Sequence, residues 1–419
     1  MNSCVDVNSH KTGMRRFGTL VKKFTFGRTI KLSFGLGLLA VLGACSSISF
    51  PQGSFQTLPT PAPLDGITPV AGQVIGNGPV QVALLLPLSG DVGSVGISMA
   101  NAAKLAIDFI DQSPTIGSNI TVTIMDTVGN PAVAATKATE AIQGGASLIL
   151  GPLKAESVRA AGAVARSAGI PLIGFSNNSG AASQGVYLLN ILPETEVKRS
   201  LAYAQAQGSE AFAAIIPNTD FGQIQTGAFQ QATSDLGIPV RAIYRFSNEA
   251  EARDVVTQIL PFLSSGAIDT IFLPDRGTAS SFGILLEEAG LDKDTLTIIG
   301  SLDWSGDLQI PQTQFLVGAI YPAVDETGLA ALTPDYEAQF GGQPHALSTI
   351  SYTAVLLANS QSLSQSQPRY SQAQLTRPSG FNGRDGLFRF FGDGRSQYAL
   401  VIKEVIFGGS QRVDGPAIP

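Results

Sequence analysis

The stretch 80–179 repeats one local pattern, in which an apolar strand, a glycine-containing turn and an amphipathic helical segment follow one another. Short apolar runs that alternate with longer segments of helical period predict a parallel sheet with crossover helices. In such a sheet the loops that leave the carboxyl ends of the strands form the ligand crevice. In this stretch the loops are 89–94, 151–155 and 175–179.

A second copy of the pattern follows the first. Segments 194–207, 223–236, 251–263 and 280–289 have helical patterning, and apolar runs at 211–217, 239–246, 270–274 and 296–300 have the length of strands. A chain of 419 residues is also too long for one small core. The sequence therefore predicts two α/β lobes of similar size.

The remaining segment is less regular. It contains an expected strand at 317–322, expected helices at 335–340 and 348–360, and a Ser/Gln-rich expected loop at 361–367. Apolar runs at 387–391 and 398–406, separated by Gly392-Asp-Gly394, predict a β-hairpin. A carboxyl-terminal segment shared by two lobes would place several chain crossings at a hinge, which suits closure over a ligand.

The amino terminus has the order of a targeting segment. Basic residues precede the apolar run 32–42, which is too short to span a bilayer and ends in Leu42-Gly-Ala-Cys45. This end resembles a bacterial lipobox, which implies removal of 1–44 and lipidation of Cys45. An ordinary signal peptide with an incidental cysteine is the alternative. By resemblance to enterobacterial sorting, Ser46 favours the outer membrane, and the Pro/Ser/Gly-rich stretch 45–79 is typical of a flexible tether.

Charge and cysteine content limit the possible partners. The chain carries a net charge of −6, and removal of 1–44, with seven Lys/Arg and one Asp, leaves −12. An acidic chain is a poor nucleic-acid partner, because phosphate binding needs a basic patch. The two cysteines are Cys4, which would be removed, and Cys45, so no disulfide is expected.

The sequence lacks the motifs of the common enzyme classes. The glycine loop after the first strand is G-x-x-G-x-x-G and not the dinucleotide fingerprint, and there is no P-loop, no G-x-S-x-G and no S-x-x-K. His345 is the only histidine beyond the signal segment, which argues against a histidine-based triad and a zinc site. We therefore expect no enzymatic activity, no cofactor and no metal.

Several motifs of this chain belong together: Val82-Ala-Leu-Leu-Leu-Pro-Leu-Ser-Gly90, Gly151-Pro, Gly169-Ile-Pro-Leu-Ile173, Phe221-Gly222 and the closing hairpin. Together they resemble type I periplasmic binding proteins of the leucine/isoleucine/valine class. The resemblance covers most of 80–407 and implies an α/β fold of two lobes, each a parallel sheet flanked by helices, joined by three hinge crossovers. We expect 80–192 and 317–365 in lobe 1, 193–316 and 366–407 in lobe 2, and 408–419 as a tail.

Two of these motifs are also close to a side branch of that family. Leu85-Leu-Pro-Leu-Ser-Gly90 and Gly151-Pro-Leu153 resemble the lipoprotein activators of class A penicillin-binding proteins. The enterobacterial activator has an additional helical-repeat domain before this fold, whereas this chain has only the short tether.

The resemblance implies a set of ligand contacts. Amino-acid binders of this class hold the ligand carboxylate on backbone N–H groups and hydroxyls at helix N-termini and hold the ammonium with an acid. The hydroxyl expected after Gly151 falls on Ala155, and the aromatic of the second lobe falls on Phe221, which lacks a phenolic oxygen. The expected ligand contacts in this chain are Ser89, Gly90, Ser157, Ser176, Asn178, Phe221 and Asp275.

Each contact also has an interpretation without a ligand. Ser89 and Gly90 could form only a tight turn, and Ser176 and Asn178 could cap one. Phe221 could be a core or lid aromatic, and Trp304 could line or fill the crevice. Turn or capping roles are the alternative for the acids, Asp275 and Asp303.

Two functions share this scaffold. The first is activation of a class A penicillin-binding protein in peptidoglycan synthesis by a lipid-anchored envelope protein, and the incomplete amino-acid recognition set favours it. The alternative is solute capture, of amino acids or related small polar molecules, for an ABC permease. In both, the expected location is the periplasmic side of the cell envelope, with the lipid anchor in the outer membrane.

Overall fold

The computed structural model describes residues 72–419. The predicted signal segment, the predicted lipidation site Cys45 and the predicted tether as far as residue 71 lie outside the described residues. Within 72–419 no helix is long and apolar enough to cross a membrane.

The first lobe begins with six strands and three helices. The sheet order is β1-β3-β2-β4-β5-β6, and only the β1–β3 pair is antiparallel among its pairings. The elements are β1 (Val74–Ile75), β2 (Val80–Leu86), α1 (Gly93–Gln112), β3 (Ile120–Asp126), α2 (Pro131–Gln143), β4 (Leu148–Leu150), α3 (Ala155–Ser167), β5 (Leu172–Gly174) and β6 (Val186–Leu188). Because β1 pairs with β3, the expectation that the tether continues to residue 79 is wrong at its end.

Strand β2 shows why this sheet is covered on both faces. Val82, Leu84 and Leu86 belong to one apolar cluster, whereas Ala83 and Leu85 belong to another. Successive side chains of a strand point to opposite faces, so an unbroken apolar run needs helices on both sides. This arrangement confirms the predicted parallel sheet with flanking helices.

The second lobe repeats the plan with a new sheet. Its elements in chain order are α4 (Pro193–Ala206), β7 (Phe212–Pro217), α5 (Asp220–Leu236), β8 (Val240–Phe246), α6 (Glu249–Ser264), β9 (Thr270–Phe272), α7 (Arg276–Glu288), β10 (Thr297–Ile299) and β11 (Ile320–Ala323). β11 pairs with β10, so this strand belongs to the second sheet, although 317–365 was expected in lobe 1.

The chain then returns to the first lobe. Its elements there are α8 (Thr327–Phe340), α9 (Ser348–Asn359), α10 (Gln361–Ser364), α11 (Gln372–Leu375), β12 (Phe381–Gly383), β13 (Gly386–Phe390) and β14 (Ser396–Tyr398). Helices α8 and α9 pack on α1, and the aromatic side chains of the small sheet β12-β13-β14 share the apolar cluster of β2. The expected loop at 361–367 therefore contains a short helix, and the first part of 366–407 lies with lobe 1.

The last two strands return to the second sheet. β15 (Leu400–Ile406) pairs with β11, and β16 (Gly409–Ala417) pairs with β15, both antiparallel. The expected hairpin strand 398–406 is thus divided between two sheets, and the expected tail 408–419 is mostly a strand. The chain passes between lobes after β6, after β11 and after β14, which gives the three predicted crossovers.

Candidate ligand-binding site

The predicted contacts of the first lobe lie at one edge of its sheet. Ser89 and Gly90 follow β2, Ser176 and Asn178 follow β5, and Ser157 lies in the first turn of α3, which follows β4. These strands are mutually parallel, so their carboxyl ends meet at the same edge. The structure therefore brings these five residues together at the edge where an open parallel sheet binds ligands.

Asp126, at the end of β3, organises the first loop. Its carboxylate accepts hydrogen bonds from Leu88 N at 2.9 Å, from Ser89 Oγ at 2.6 Å and from Val128 N at 2.8 Å. Burial alone would raise the pKa of Asp126, but these hydrogen bonds outweigh it and lower the pKa. Ser89 is consequently held by the protein itself.

Gly90 is required by the turn. Its φ is +84°, and an added Cβ would approach Val128 O to 3.0 Å. Beyond this turn, Asp91 pairs with Lys154 at 2.8 Å and so ties the loop after β2 to the loop after β4. The hydrogen bond from Lys154 lowers the pKa of Asp91.

Ser157 differs from the other predicted contacts. Its residue is 1% exposed, and its Oγ has no hydrogen-bond partner within the described residues. The residue before α3, Lys154, gives no side-chain cap, and Ala155 has no hydroxyl to offer. An unpaired buried hydroxyl costs about 1–3 kcal/mol of folding free energy. A stabilising role therefore does not explain the serine at position 157.

Ser176 and Asn178 support the short turn after β5. Ser176 Oγ accepts a hydrogen bond from Asn178 N at 3.1 Å, and Asn178 Oδ1 accepts one from Gly180 N at 3.0 Å. Both side chains therefore have the capping role that the sequence left as an alternative.

The contacts predicted in the second lobe also lie at a carboxyl edge. Phe221 is half-buried in the first turn of α5, directly after the cap formed by Thr219 Oγ1 and Gly222 N at 3.1 Å. Asp275 follows β9 at the start of α7 and accepts a hydrogen bond from Thr278 Oγ1 at 2.6 Å. Burial raises the pKa of Asp275.

Asp303, which follows β10, adds a second acid to this edge. Its side chain keeps 39% of its surface exposed, and its Oδ1 lies 3.8 Å from Arg276 Nε. Burial raises the pKa of Asp303. The neighbouring Trp304 is 2% exposed and belongs to the second apolar core, where it packs against Gly300. Trp304 therefore fills the core.

Sequence reasoning missed Glu196 in α4. This carboxyl is fully buried and accepts hydrogen bonds from Gln225 Nε2 at 2.9 Å and from Leu302 N at 3.0 Å. Burial raises its pKa to about 7. An acid in the first turn of a helix is an ordinary terminal charge by its sequence, so only the fold reveals that this one supports the loop after β10.

The two edges differ in chemistry. The first offers serine hydroxyls and helix N-termini, whereas the second offers the carboxyls of Asp275 and Asp303. Within 72–419 no group of three or more His, Cys, Asp or Glu side chains could hold a metal ion.

Comparison with known proteins identifies the family. A family model described as periplasmic binding protein matches residues 79–361, which is more than half of the chain. The chain belongs to the periplasmic binding protein family. Membership implies a periplasmic or cell-envelope location and confirms the type I fold expected from the motifs. No curated protein sequence matches the chain.

Solved structures of other periplasmic binding proteins share this fold at low identity. A candidate branched-chain amino acid ABC transporter protein from Rhodospirillum rubrum has 19% identity and a TM-score of 0.67, over 80% of this chain and 99% of its own. An ABC transporter substrate-binding protein from Desulfitobacterium hafniense in complex with Leu has 16% identity and a TM-score of 0.57, over 80% and 99%. A solute-binding protein from Rhodopseudomonas palustris BisB5 in complex with 3,4-dihydroxybenzoic acid has 17% identity and a TM-score of 0.53, over 81% and 98%.

Proposed function

We propose that this periplasmic binding protein is the solute-binding component of an ABC transporter. Its ligand would be a small molecule with a carboxylate, with amino acids or related amides as the first class to test. The neighbouring structures support this proposal, because their bound molecules, leucine in one and a dihydroxybenzoic acid in another, share a carboxylate. A chain of this family that closes on such a solute would present the closed form to a permease.

The observation that carries the proposal is the unpaired hydroxyl of Ser157 at the N-terminus of α3. Helix N-termini have N–H groups without partners and a partial positive charge, so they attract carboxylates. A ligand carboxylate at this end would give the buried hydroxyl an acceptor. Asp275 and Asp303, at the carboxyl edge of the second sheet, would suit a ligand ammonium.

A screen of the purified protein by thermal unfolding tests this proposal, using the common amino acids and small aromatic carboxylates. A ligand at about 100 times its Kd adds roughly 2.7 kcal/mol to the unfolding free energy, which is a shift of a few degrees for a chain of this size. Ser157→Ala should lower the affinity for that ligand about tenfold, as expected for a lost hydrogen bond to a charged group. Ser167→Ala, at the exposed other end of α3, is the matched control and should leave affinity unchanged.

A second candidate function is activation of a class A penicillin-binding protein by a form anchored through Cys45 in the outer membrane. The observation that favours it is that four predicted ligand contacts already have a hydrogen-bond partner within the protein and so do not require a ligand. These residues are Ser89, Ser176, Asn178 and Asp275. Absence of any ligand in the screen, together with direct binding to a purified class A penicillin-binding protein, would replace the transport proposal by this one. Labelling of Cys45 by a fatty-acid analogue in cells tests the anchor separately.

A further inference from the structure

A cavity of about 420 Å³ lies at the edge of the first sheet opposite the candidate site. Its walls include residues that directly precede β5 and β6, that is, at the amino ends of the parallel strands, and a third wall comes from the segment between α10 and α11. The residues that decide its chemistry are Arg166, Ile170, Tyr187, Pro368, Arg369 and Tyr370. We call it the amino-edge cavity. Its volume falls within the range of about 300–1,000 Å³ that is usual for small-molecule pockets.

Two arginines give this cavity a positive charge without a protein counter-ion. Within residues 72–419 neither guanidinium pairs with a carboxylate: Arg166 Nη1 donates to Ser183 Oγ at 3.1 Å, and Arg369 Nε donates to Ser364 O at 3.0 Å. No Asp or Glu is among the residues that line the cavity. Each guanidinium has five N–H donors, so most of them remain available.

The remaining walls are apolar or amide. Ile170, Pro171 and Pro368 supply apolar surface, and the rings of Tyr187 and Tyr370, both 1% exposed, close the wall. Gln184 Nε2 and Gln372 Oε1, from opposite walls, are 3.4 Å apart, a long and weak contact that a ligand could replace. Apolar walls with a few convergent polar groups are typical of a small-molecule site.

We propose that the amino-edge cavity binds a small organic anion, a carboxylate or phosphate ester that has an aromatic or aliphatic body. The arginines would hold the anionic oxygens, because the planar guanidinium matches carboxylate and phosphate in bidentate geometry. The apolar walls would take the body. This site is independent of the proposed solute-binding role, since it lies at the other edge of the sheet and shares none of that site's residues.

Titration calorimetry with phenyl phosphate tests the proposal on the purified protein. We expect saturable binding to the wild type, weaker binding of inorganic phosphate and no binding of benzyl alcohol, which lacks the charge. The double variant Arg166→Gln/Arg369→Gln should bind phenyl phosphate with an affinity at least about tenfold lower than the wild type, as expected for lost charge-assisted hydrogen bonds. Phenylacetate in place of phenyl phosphate separates a carboxylate preference from a phosphate preference.

Control variants keep the test specific. Arg159→Gln removes a cation from the same helix α3, but Arg159 pairs with Glu156 and does not line the cavity, so it should leave binding unchanged. Gln184→Phe would place an aromatic ring in the cavity while both arginines stay, and it should also weaken phenyl phosphate binding. Ser157→Ala should have no effect on phenyl phosphate. The proposal would be overturned if the wild type bound neither phenyl phosphate nor phenylacetate, or if the double variant and the Gln184→Phe variant bound phenyl phosphate as tightly as the wild type. Neither outcome bears on the solute-binding role.

Discussion

At the scale of single residues, Glu196 is a buried acid whose pKa is raised to about 7 by burial. It is buried beneath the loop after β10 and holds that loop through Leu302 N. Its other hydrogen-bond partner, Gln225, has a buried Oε1 that lacks a partner among the described residues. A protonated Glu196 could donate to that oxygen if the amide turned over. The surroundings therefore accommodate the neutral acid better than a buried charge.

This arrangement predicts a pH-dependent stability. The pKa of Glu196 is about 7 in the folded protein, against a usual value of 4.5. The folded state thus binds the proton of Glu196 more tightly than the unfolded state does. The contribution of this proton to the unfolding free energy is full below pH 4.5 and is lost as the pH rises through about 7. The variant Glu196→Gln carries no ionisable group at this position. Its unfolding free energy should therefore exceed that of the wild type increasingly as the pH rises between these values, and the difference should be on the order of 3 kcal/mol above pH 7. Urea unfolding from pH 4.5 to 8 measures it.

The control for this experiment is Glu287→Gln, which changes an exposed glutamate on α7. Its unfolding free energy should follow that of the wild type across the whole pH range. A Glu196→Gln curve that runs parallel to the wild-type curve would mean that the pKa of Glu196 is the same in the folded and the unfolded protein.

At the scale of elements, the first lobe joins β2 to α1 and the second lobe joins β7 to α5 by the same close contact. An added Cβ at Gly96 in α1 would lie 1.9 Å from Pro87 O, and one at Gly222 in α5 would lie 1.9 Å from Pro217 O. In each case the helix packs against the carbonyl of the proline that ends or follows the strand. The contact sets the position of the helix N-terminus at the carboxyl edge of each sheet, next to the candidate site.

Substitution of these glycines should therefore destabilise the fold. Gly96→Ala and Gly222→Ala force a backbone carbonyl and a helix apart, and overpacking of this kind costs about 1–3 kcal/mol. Gly227→Ala, on an exposed face of α5 with no atom within 4 Å of the added Cβ, should instead be neutral or stabilise by about 0.5–1 kcal/mol. Chemical unfolding of the three variants measures the differences. Equal stability of Gly96→Ala and Gly227→Ala would show that the helix can shift without cost.

The elements also show how far the sequence determines the fold. Local periodicity predicts most strands and helices of 80–300 within a few residues, because each has its own apolar pattern. Local periodicity does not predict which lobe the segments after residue 317 join. The placement of β11 and the division between β14 and β15 depend on pairing with distant strands. A continuous apolar run such as 398–406 does not indicate where the chain passes from one sheet to the other. The bond from Ser89 to Asp126 likewise joins residues 37 positions apart and has no signal in either segment.

At the scale of the whole molecule, three crossovers connect two separately packed lobes. Each sheet has apolar clusters on both faces, and the residues of the second sheet's clusters differ from those of the first. Such lobes keep their own cores during relative movement, and the crossovers after β6, β11 and β14 are the places where backbone angles can change. The predicted contacts are divided between the two carboxyl edges, so one small ligand that touches both sets of contacts would bridge the lobes.

The proposed solute should therefore compact the protein. Small-angle scattering of the purified protein with the ligand found by thermal unfolding should show a smaller radius of gyration, because the ligand has differential affinity for the closed state. Phenyl phosphate is the control: by our proposal it fills a cavity within the first lobe, so it should bind without compaction. Asp275→Asn, a change in the second lobe alone, should lower the affinity for the solute and so reduce the compaction at a fixed solute concentration. A solute that raises Tm yet leaves the radius of gyration unchanged would mean that one lobe binds it alone and that hinge closure is not its mechanism.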